Sequence, residues 1–354
     1  MSRALILGGT GAIGVATALR LRRAGWSVTV TGRDPARVPP VLADVGVAVV
    51  TSASAGRPGL PALLGSGADL LVDAACYDVA DARAVAAVLD DVSSAVMISS
   101  KAVYVDAAGR HSNSADPPQF DGPICETQAT LAGDARRLDE GAPYGAAKVA
   151  AEEVLLDSGA PVTILRPSKV HGAWSRRPRE WVFVRRVLDG RTAVVLRRGG
   201  MGAEHPSAAA NLAALVEVVA ARPGARVLNA ADPDCPTGGE MARVVASALG
   251  HTFVEVDADP ARDPGLGRHP WDRVPPVVLD LQRARALGYA PVGDYAATVI
   301  EELSWLVDEA RGATGSPWLP AADDAFFAPF FDYAREDAFL ASCATRSGER
   351  GVPD

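Results

Sequence analysis

Cysteine is sparse and unpatterned in this chain of 354 residues. Cys76, Cys125, Cys235 and Cys343 are scattered and form no C-x-x-C pair, which argues against a disulfide framework or a zinc site; no metal is expected. Positive charge does not dominate either. The 35 Lys and Arg against 43 Asp and Glu leave a net charge of −8, with no basic stripe, so nucleic acid is not the expected partner. No run is apolar enough for long enough to span a bilayer. The N-terminus, MSRALILGG, leads straight into a strand without the layout of a signal peptide. No internal repeat is evident. These absences leave a cytoplasmic globular protein acting on a small molecule, long enough for one large domain or two that share an interface.

Short apolar runs alternate with helical spacing through the first half. Strands are expected at Arg3–Gly8, Ser27–Thr31, Val45–Val50, Asp69–Ala74, Ala95–Ser99 and Val162–Leu165, and helices at Ala12–Ala24, Asp81–Leu89 and Tyr144–Leu156. Such alternation predicts an α/β fold with a parallel sheet covered on both faces. Ligands bind beyond the carboxyl ends of strands in such sheets, where Gly8, Ser99 and Ser100 fall.

The turn after the first strand reads GGTGAIG, Gly8 to Gly14 through Gly9, Thr10, Gly11, Ala12 and Ile13. Placed between a strand and a helix, it meets the context required of a dinucleotide fingerprint: small residues let the backbone approach a pyrophosphate, which the helix N-terminus stabilises. The second strand ends in TGRD. Gly32 takes the position where NAD enzymes place a carboxylate, and Arg33 follows, which suits the 2′-phosphate of NADP. NADP(H) is the expected cofactor and NAD(H) the alternative, with Asp34 the competing ribose contact.

Tyr144 and Lys148 stand four residues apart in PYGAAK, on one face of the expected helix. A free phenol is a poor base at neutral pH, and an ammonium beside it favours the phenolate. The pair therefore suits proton transfer.

Four segments now stand in order: GGTGAIG, ISSKAVY at Ile98–Tyr104, YGAAK at Tyr144–Lys148 and LRPSKVHG at Leu165–Gly172. With RVLNAAD at Arg226–Asp232 and ARALGYAP at Ala284–Pro291 they resemble the extended short-chain dehydrogenase/reductase superfamily, its NAD-dependent epimerase/dehydratase group, over roughly residues 1 to 310. The resemblance implies a Rossmann-type doubly wound sheet with a smaller, mixed α/β C-terminal substrate-binding part. It makes Tyr144 the proton donor and acceptor, Ser100 the hydroxyl that holds the reacting oxygen, and Lys148 the residue that binds nicotinamide ribose and tunes the tyrosine. Ala74, Ala75, Ser99, Pro167 and Val170 join the glycine turn and Arg33 as expected cofactor contacts. A homodimer is usual for the family.

Departures from the family pattern narrow the reaction. Lys101 and Ala102 stand where dehydratases carry an Asp-Glu pair, which disfavours water elimination. Glu126 resembles the family's loop glutamate and is expected to brace the segment between Ser100 and Tyr144, which is long, weakly periodic and expected to roof the site. Asn211 replaces the usual aspartate. Arginines crowd the stretch from Arg176 to Arg198, which suggests an anionic ligand or else a solvated helix face. Lys101, Ala102, Tyr77, His171, Arg176 and His205 are the candidate substrate contacts.

Residues 1–170 read as the dinucleotide-binding domain, with segments near 205–232 returning to it. Residues 171–318 read as the substrate-binding part, 319–345 as an aromatic-rich extension over a hydrophobic surface or interface, and 346–354 as a mobile tail. The expected activity is NAD(P)-linked oxidoreduction or epimerisation of a sugar nucleotide, nucleoside or related polyhydroxyl metabolite. A ketoreductase of secondary metabolism and a non-catalytic NADP-binding sensor are the alternatives.

Overall fold

Ala4 and Ile6 of the first strand, β1 (Arg3–Leu7), pack on one side of a sheet while Leu5 and Leu7 pack on the other, as the two-residue period of a strand requires. The computed structural model describes residues 1–51, 59–312 and 316–348. The further strands are β2 (Ser27–Gly32), β3 (Ala48–Thr51), β4 (Ala68–Asp73), β5 (Val92–Ile98), β6 (Val162–Pro167), β7 (Val170–His171), β8 (Ala193–Arg197), β9 (Ser207–Ala208), β10 (Arg226–Ala230) and β11 (Val254–Ala258). Seven of them form one parallel sheet in the order β10-β6-β5-β4-β1-β2-β3. This is the doubly wound Rossmann arrangement, with the order reversing beside β1.

Two separate cores cover the faces. On one, helices Ala12–Arg23 and Ala209–Ala221 bring Val15, Ala18, Leu212, Leu215 and Val216 against Ile6, Val30, Val72 and Val96. On the other, Leu60, Ala82, Val85, Ala151 and Leu155 pack on Leu5, Leu71, Met97 and Ile164. Each such large side chain contributes about 1.5–3 kcal/mol through burial. The third strand begins later than its apolar run implies, because Gly46 adopts φ +70° and Val47 N still closes the preceding turn on Leu42 O at 2.9 Å. The helix expected from Asp81 begins at Val79, because Asp78 caps it by accepting from Ala80 N at 3.0 Å and Asp81 N at 3.1 Å.

The chain divides into two compact units. The first comprises 1–176, 205–235 and 277–302; it includes the parallel sheet and the short β7–β9 pair. The second comprises 177–204, 236–276 and 303–354, with β8 and β11 paired in parallel. Residues 277–302, expected in the substrate-binding part, lie in the first unit.

The segment between Ser100 and Tyr144 is anchored rather than free. Asp106 accepts from Ala108 N and Arg110 N at 2.9 Å each, from Gln119 N at 2.9 Å and from Arg110 Nε at 2.7 Å. Burial pushes this carboxyl up, but these hydrogen bonds outweigh it and hold its pKa at about 2. Further along, Phe120, Ile124 and Leu131 pack with Tyr104, Val149, Leu279 and Leu281 in a core of their own. Apolar neighbours and a closed turn give this weakly periodic segment an ordered path.

From Arg185 on, the arginine-dense stretch finds its partners inside the second unit. Arg186 donates to Glu336 and to Phe330 O, Arg191 pairs with Asp337, and Arg197 and Arg198 reach Asp272 at 2.9 and 3.4 Å. The guanidinium groups of Arg185 and Arg191 lie over the rings of Phe331 and Tyr333 at 4.8 and 4.6 Å. Arg185, Arg186 and Arg191 seat the C-terminal extension, whose Phe339 and Leu340 cover Val195, Ala258 and Leu266. The last helix continues to Gly348, past the expected start of the tail; residues 349–354 lie outside the described residues. Among the described residues no helix is long and apolar enough to cross a membrane.

Candidate active site

The glycines of the first turn do different jobs. Gly8 has φ +72°, a conformation costly for other residues. A Cβ on Gly9 would lie 2.4 Å from Val30 Cβ, and one on Gly14 would lie 2.4 Å from Gly9 Cα; both glycines let the turn close on the sheet. Gly11 differs. A Cβ there would meet only Gly8 O, at 3.9 Å. Gly11 is also the N-cap of the helix Ala12–Arg23, which has no side-chain cap and no acid in its first turn. The first N–H groups of that helix are thus left to an outside acceptor beneath open space, an arrangement that fits the pyrophosphate of a dinucleotide.

Thr10 is buried, and a Cβ on Gly32 would lie 2.6 Å from its Cγ2. Gly32 is small for the sake of Thr10. Beyond it Arg33 is exposed. Asp34 is turned to local use: it accepts from Ala36 N at 2.9 Å and lies 3.8 Å from Arg37 Nε. Burial and the nearby charges of Arg37 and Arg33 hold the Arg176 guanidinium below its ordinary range. Positive charge therefore gathers at the end of β2. Next to the turn, Ala74 N donates to Leu7 O at 3.0 Å, and Ala75 Cβ lies 3.0 Å from where a Cβ on Gly8 would sit.

Tyr144 opens the helix Tyr144–Leu156 and is half-buried. The next residue decides its placement. A Cβ on Gly145 would lie 2.4 Å from Ala102 O, so only glycine lets this helix start dock on the turn Lys101–Val103. Ser100 caps that turn, accepting from Ala102 N at 3.1 Å, which leaves its O–H to donate elsewhere. One helical turn on, Lys148 is 2 % exposed. Its Nζ lies 5.8 Å from the Tyr144 ring centroid and 4.8 Å from that of Tyr77. It donates to Cys76 O, and to Ile98 O at 2.9 Å.

The remaining candidates separate by environment. Tyr77 is 40 % exposed. Lys101 is buried with Nζ 3.4 Å from Ser112 Oγ, and Ala102 is buried beside it. Pro167 ends β6, and Val170 begins β7 half-buried. His171 is buried, its Nε2 2.8 Å from Asp232 Oδ2 and its ring 5.1 Å from that of Tyr295. His205 is buried too. Its Nδ1 accepts from Leu279 N at 3.0 Å and its Nε2 is 2.8 Å from Asp232 O, while burial holds its pKa below the ordinary value. Both histidines hold the fold together at the β7–β9 pair rather than face open space.

Four further groups, none of them a candidate from the sequence, form a buried polar chain beside the site. Glu152, a further four residues along the Tyr144–Lys148 face, accepts from Ser99 Oγ and from Arg166, with Arg166 Nε at 3.1 Å. Arg166 in turn lies 4.9 Å from the Tyr104 ring, and Tyr104 donates to Asn229 Oδ1 at 2.6 Å. Burial pushes the Tyr104 phenol up to about 12, against the pull of Arg166. Asn229 N donates to Glu126 at 2.8 Å, so the loop glutamate is fixed to β10. The i, i+4 continuation from Lys148 to Glu152 was the available signal.

The NAD dependent epimerase/dehydratase family model matches residues 4–202, more than half of the chain. No curated protein matches it in sequence. Solved structures do match in fold. UDP-glucuronic acid 4-epimerase from Bacillus cereus, in complex with NAD, is 12 % identical with a TM-score of 0.66, over 88 % of this chain and 99 % of that one. dTDP-glucose 4,6-dehydratase from Bacillus anthracis str. Ames, in complex with NAD, is 15 % identical with a TM-score of 0.64, over 87 % and 97 %. UDP-N-acetylglucosamine 4-epimerase from Methanobrevibacter ruminantium M1, in complex with UDP-N-acetylmuramic acid, is 15 % identical with a TM-score of 0.66, over 87 % and 98 %. At these identities the likeness is one of fold. With the glycine turn and the tyrosine helix in place on that fold, the chain belongs to the NAD-dependent epimerase/dehydratase family.

Proposed function

We propose that the protein moves hydride at a secondary alcohol or ketone of a sugar nucleotide or related polyhydroxyl metabolite, with Tyr144 as the proton-transfer residue. The observation that carries this reading is the docking of the Tyr144 helix on the Ser100 turn through Gly145, with the Lys148 ammonium 5.8 Å from the phenol ring. A bound nicotinamide supplies or accepts the hydride. The chain's own residues do the rest. Tyr144 gives or takes the proton at the substrate oxygen, Ser100 donates to that oxygen and orients it, and Lys148 sets its ammonium beside the phenol ring. Lys101 and Ala102 offer no acid-base pair beside Ser100, which speaks against water elimination. Sugar nucleotides are favoured because the B. cereus and M. ruminantium epimerases of like fold are named for them.

NADP(H) is the favoured cofactor. Asp34 is engaged with Ala36 N and Arg37, while Arg33 is exposed beside Arg37 and Arg176. An anionic phosphate is better matched to that surround than a ribose hydroxyl sought by a carboxylate. Mass spectrometry of nucleotide released from the purified protein, followed by NADPH consumption against a panel of UDP- and dTDP-keto sugars, tests the reading. Consumption abolished by Tyr144→Phe supports it. No bound nucleotide and no dinucleotide binding would overturn it.

A further inference from the structure

An ammonium carries three N–H donors, and those of Lys148 face three partners. Two are main-chain carbonyls, Cys76 O just beyond β4 and Ile98 O at the end of β5, both on buried residues. The third is the face of Tyr77, whose ring centroid lies 4.8 Å from Nζ. These partners differ in how easily they can leave. The Ile98 carbonyl belongs to the end of a central strand, and the Cys76 carbonyl to a fully buried residue three positions past another, so neither moves without disturbing packed backbone. Tyr77 is 40 % exposed. Its backbone N is held by Asp81 at 2.8 Å, but its hydroxyl has no hydrogen-bond partner among the described residues. A change of rotamer is enough to move the ring.

A lysine surrounded in this way can donate to a ribose hydroxyl only after one partner withdraws. We propose that Tyr77 is a gate over Lys148, its ring stacked on the ammonium in the free protein and swung aside when a dinucleotide engages the lysine. The proposal rests on the dinucleotide reading above. It makes Tyr77 a positioning residue: in the free protein the ring holds the amine against the two carbonyls, and on binding its contact is given up. The consequence is a competition. A contact present only in the free protein weakens the apparent affinity for the ligand that displaces it.

The size of the effect follows from the contact. A cation–π pair at a partly exposed site corresponds to about a two- to fivefold change in an equilibrium constant. Tyr77→Ala should therefore bind NADPH about threefold more tightly than the wild-type protein in calorimetric titration, and NADH by the same factor, because the gate lies over Lys148 and not near Arg33. Tyr77→Phe keeps the ring and should bind as the wild type does. Thermal melting of each variant checks that the fold is retained, and a crystal structure with cofactor should show the ring turned off the amine. Weaker or unchanged binding by Tyr77→Ala, with the wild-type protein binding normally, overturns the gate alone. Failure of the wild-type protein to bind either dinucleotide overturns the dinucleotide reading and the gate with it.

Discussion

Lys148 lies one helical turn beyond Tyr144, with its ammonium 5.8 Å from the centroid of the tyrosine ring and fixed to the carbonyls of Cys76 and Ile98. The amine is thus a built-in charge rather than a flexible one. Lysine on a surface costs side-chain entropy to place; here that cost is met by burial against two main-chain carbonyls. Replacing Lys148 with Met keeps the stem and removes the charge. Because two buried carbonyls lose their donor, Lys148→Met should also lower the melting temperature. A Lys148→Arg variant separates the roles: it keeps the charge but not the compact geometry.

Gly145 sets the distance between the tyrosine helix and the Ser100 turn. Alanine favours helices over glycine by about 1 kcal/mol, so on propensity alone Gly145→Ala should stabilise. Its Cβ would instead lie 2.4 Å from Ala102 O, a backbone atom that cannot step aside. The expected result is a net loss of about 1–3 kcal/mol in chemical denaturation, together with loss of turnover.

Asn211 uses both ends of its amide. Its Nδ2 donates to Asp232 Oδ1 and Gly293 O, each at 2.8 Å, and its Oδ1 accepts from Val292 N at 2.7 Å. An aspartate there would set a second carboxylate against Asp232. Asn211→Asp should destabilise the protein by about 3 kcal/mol at neutral pH. Burial pushes the native Asp232 carboxyl up, but His171, Ala208 N and Asn211 outweigh it and hold it below the ordinary carboxylate range. A depressed carboxyl contributes stability above its unfolded pKa and loses it as pH falls through its folded one. The native protein therefore weakens in acid. The deficit of the variant should shrink on the same descent, as one of the two facing carboxylates takes a proton. Denaturation midpoints at pH 7.5, 4.5 and 3 check both signs, the native loss setting in only below the ordinary carboxyl value of 3.8.

Asp106 closes the turn at the start of the segment between Ser100 and Tyr144. Its carboxyl, at about 2 against an ordinary 3.8, contributes order above the ordinary value and loses it as pH falls from 4 towards 2. Hydrogen exchange at Ala108, Arg110 and Gln119, whose amides it accepts, should accelerate over that window beyond the general pH trend. Asp106→Asn, which cannot accept all four bonds equally, should show fast exchange already at neutral pH.

How far the sequence could be read follows from how local each signal was. The glycine turn, the strand runs and the i, i+4 pair are short-range patterns, and the structure has the parallel sheet they imply. The arginines of 185–198 were legible only as charge. The partners of Arg186 and Arg191, namely Phe330, Glu336 and Asp337, stand roughly 140 to 150 positions along the chain, and Asp272, the partner of Arg197 and Arg198, about 75; no periodicity reports a pairing at that range. Asn211 looked like a departure from a family pattern until Asp232 was beside it. The carbonyls that hold Lys148 belong to Cys76 and Ile98, 72 and 50 residues earlier, and main-chain acceptors leave no mark in a sequence. Gly145 was visible, but the Ala102 oxygen that makes it necessary was not.

The most direct test uses a single variant. Tyr144→Phe and the wild-type protein are titrated with NADPH and then assayed for NADPH oxidation on a panel of UDP- and dTDP-keto sugars. The account predicts dinucleotide binding within about twofold of wild type and turnover lower by roughly 10²-fold or more. A variant that turns over at the wild-type rate would contradict it.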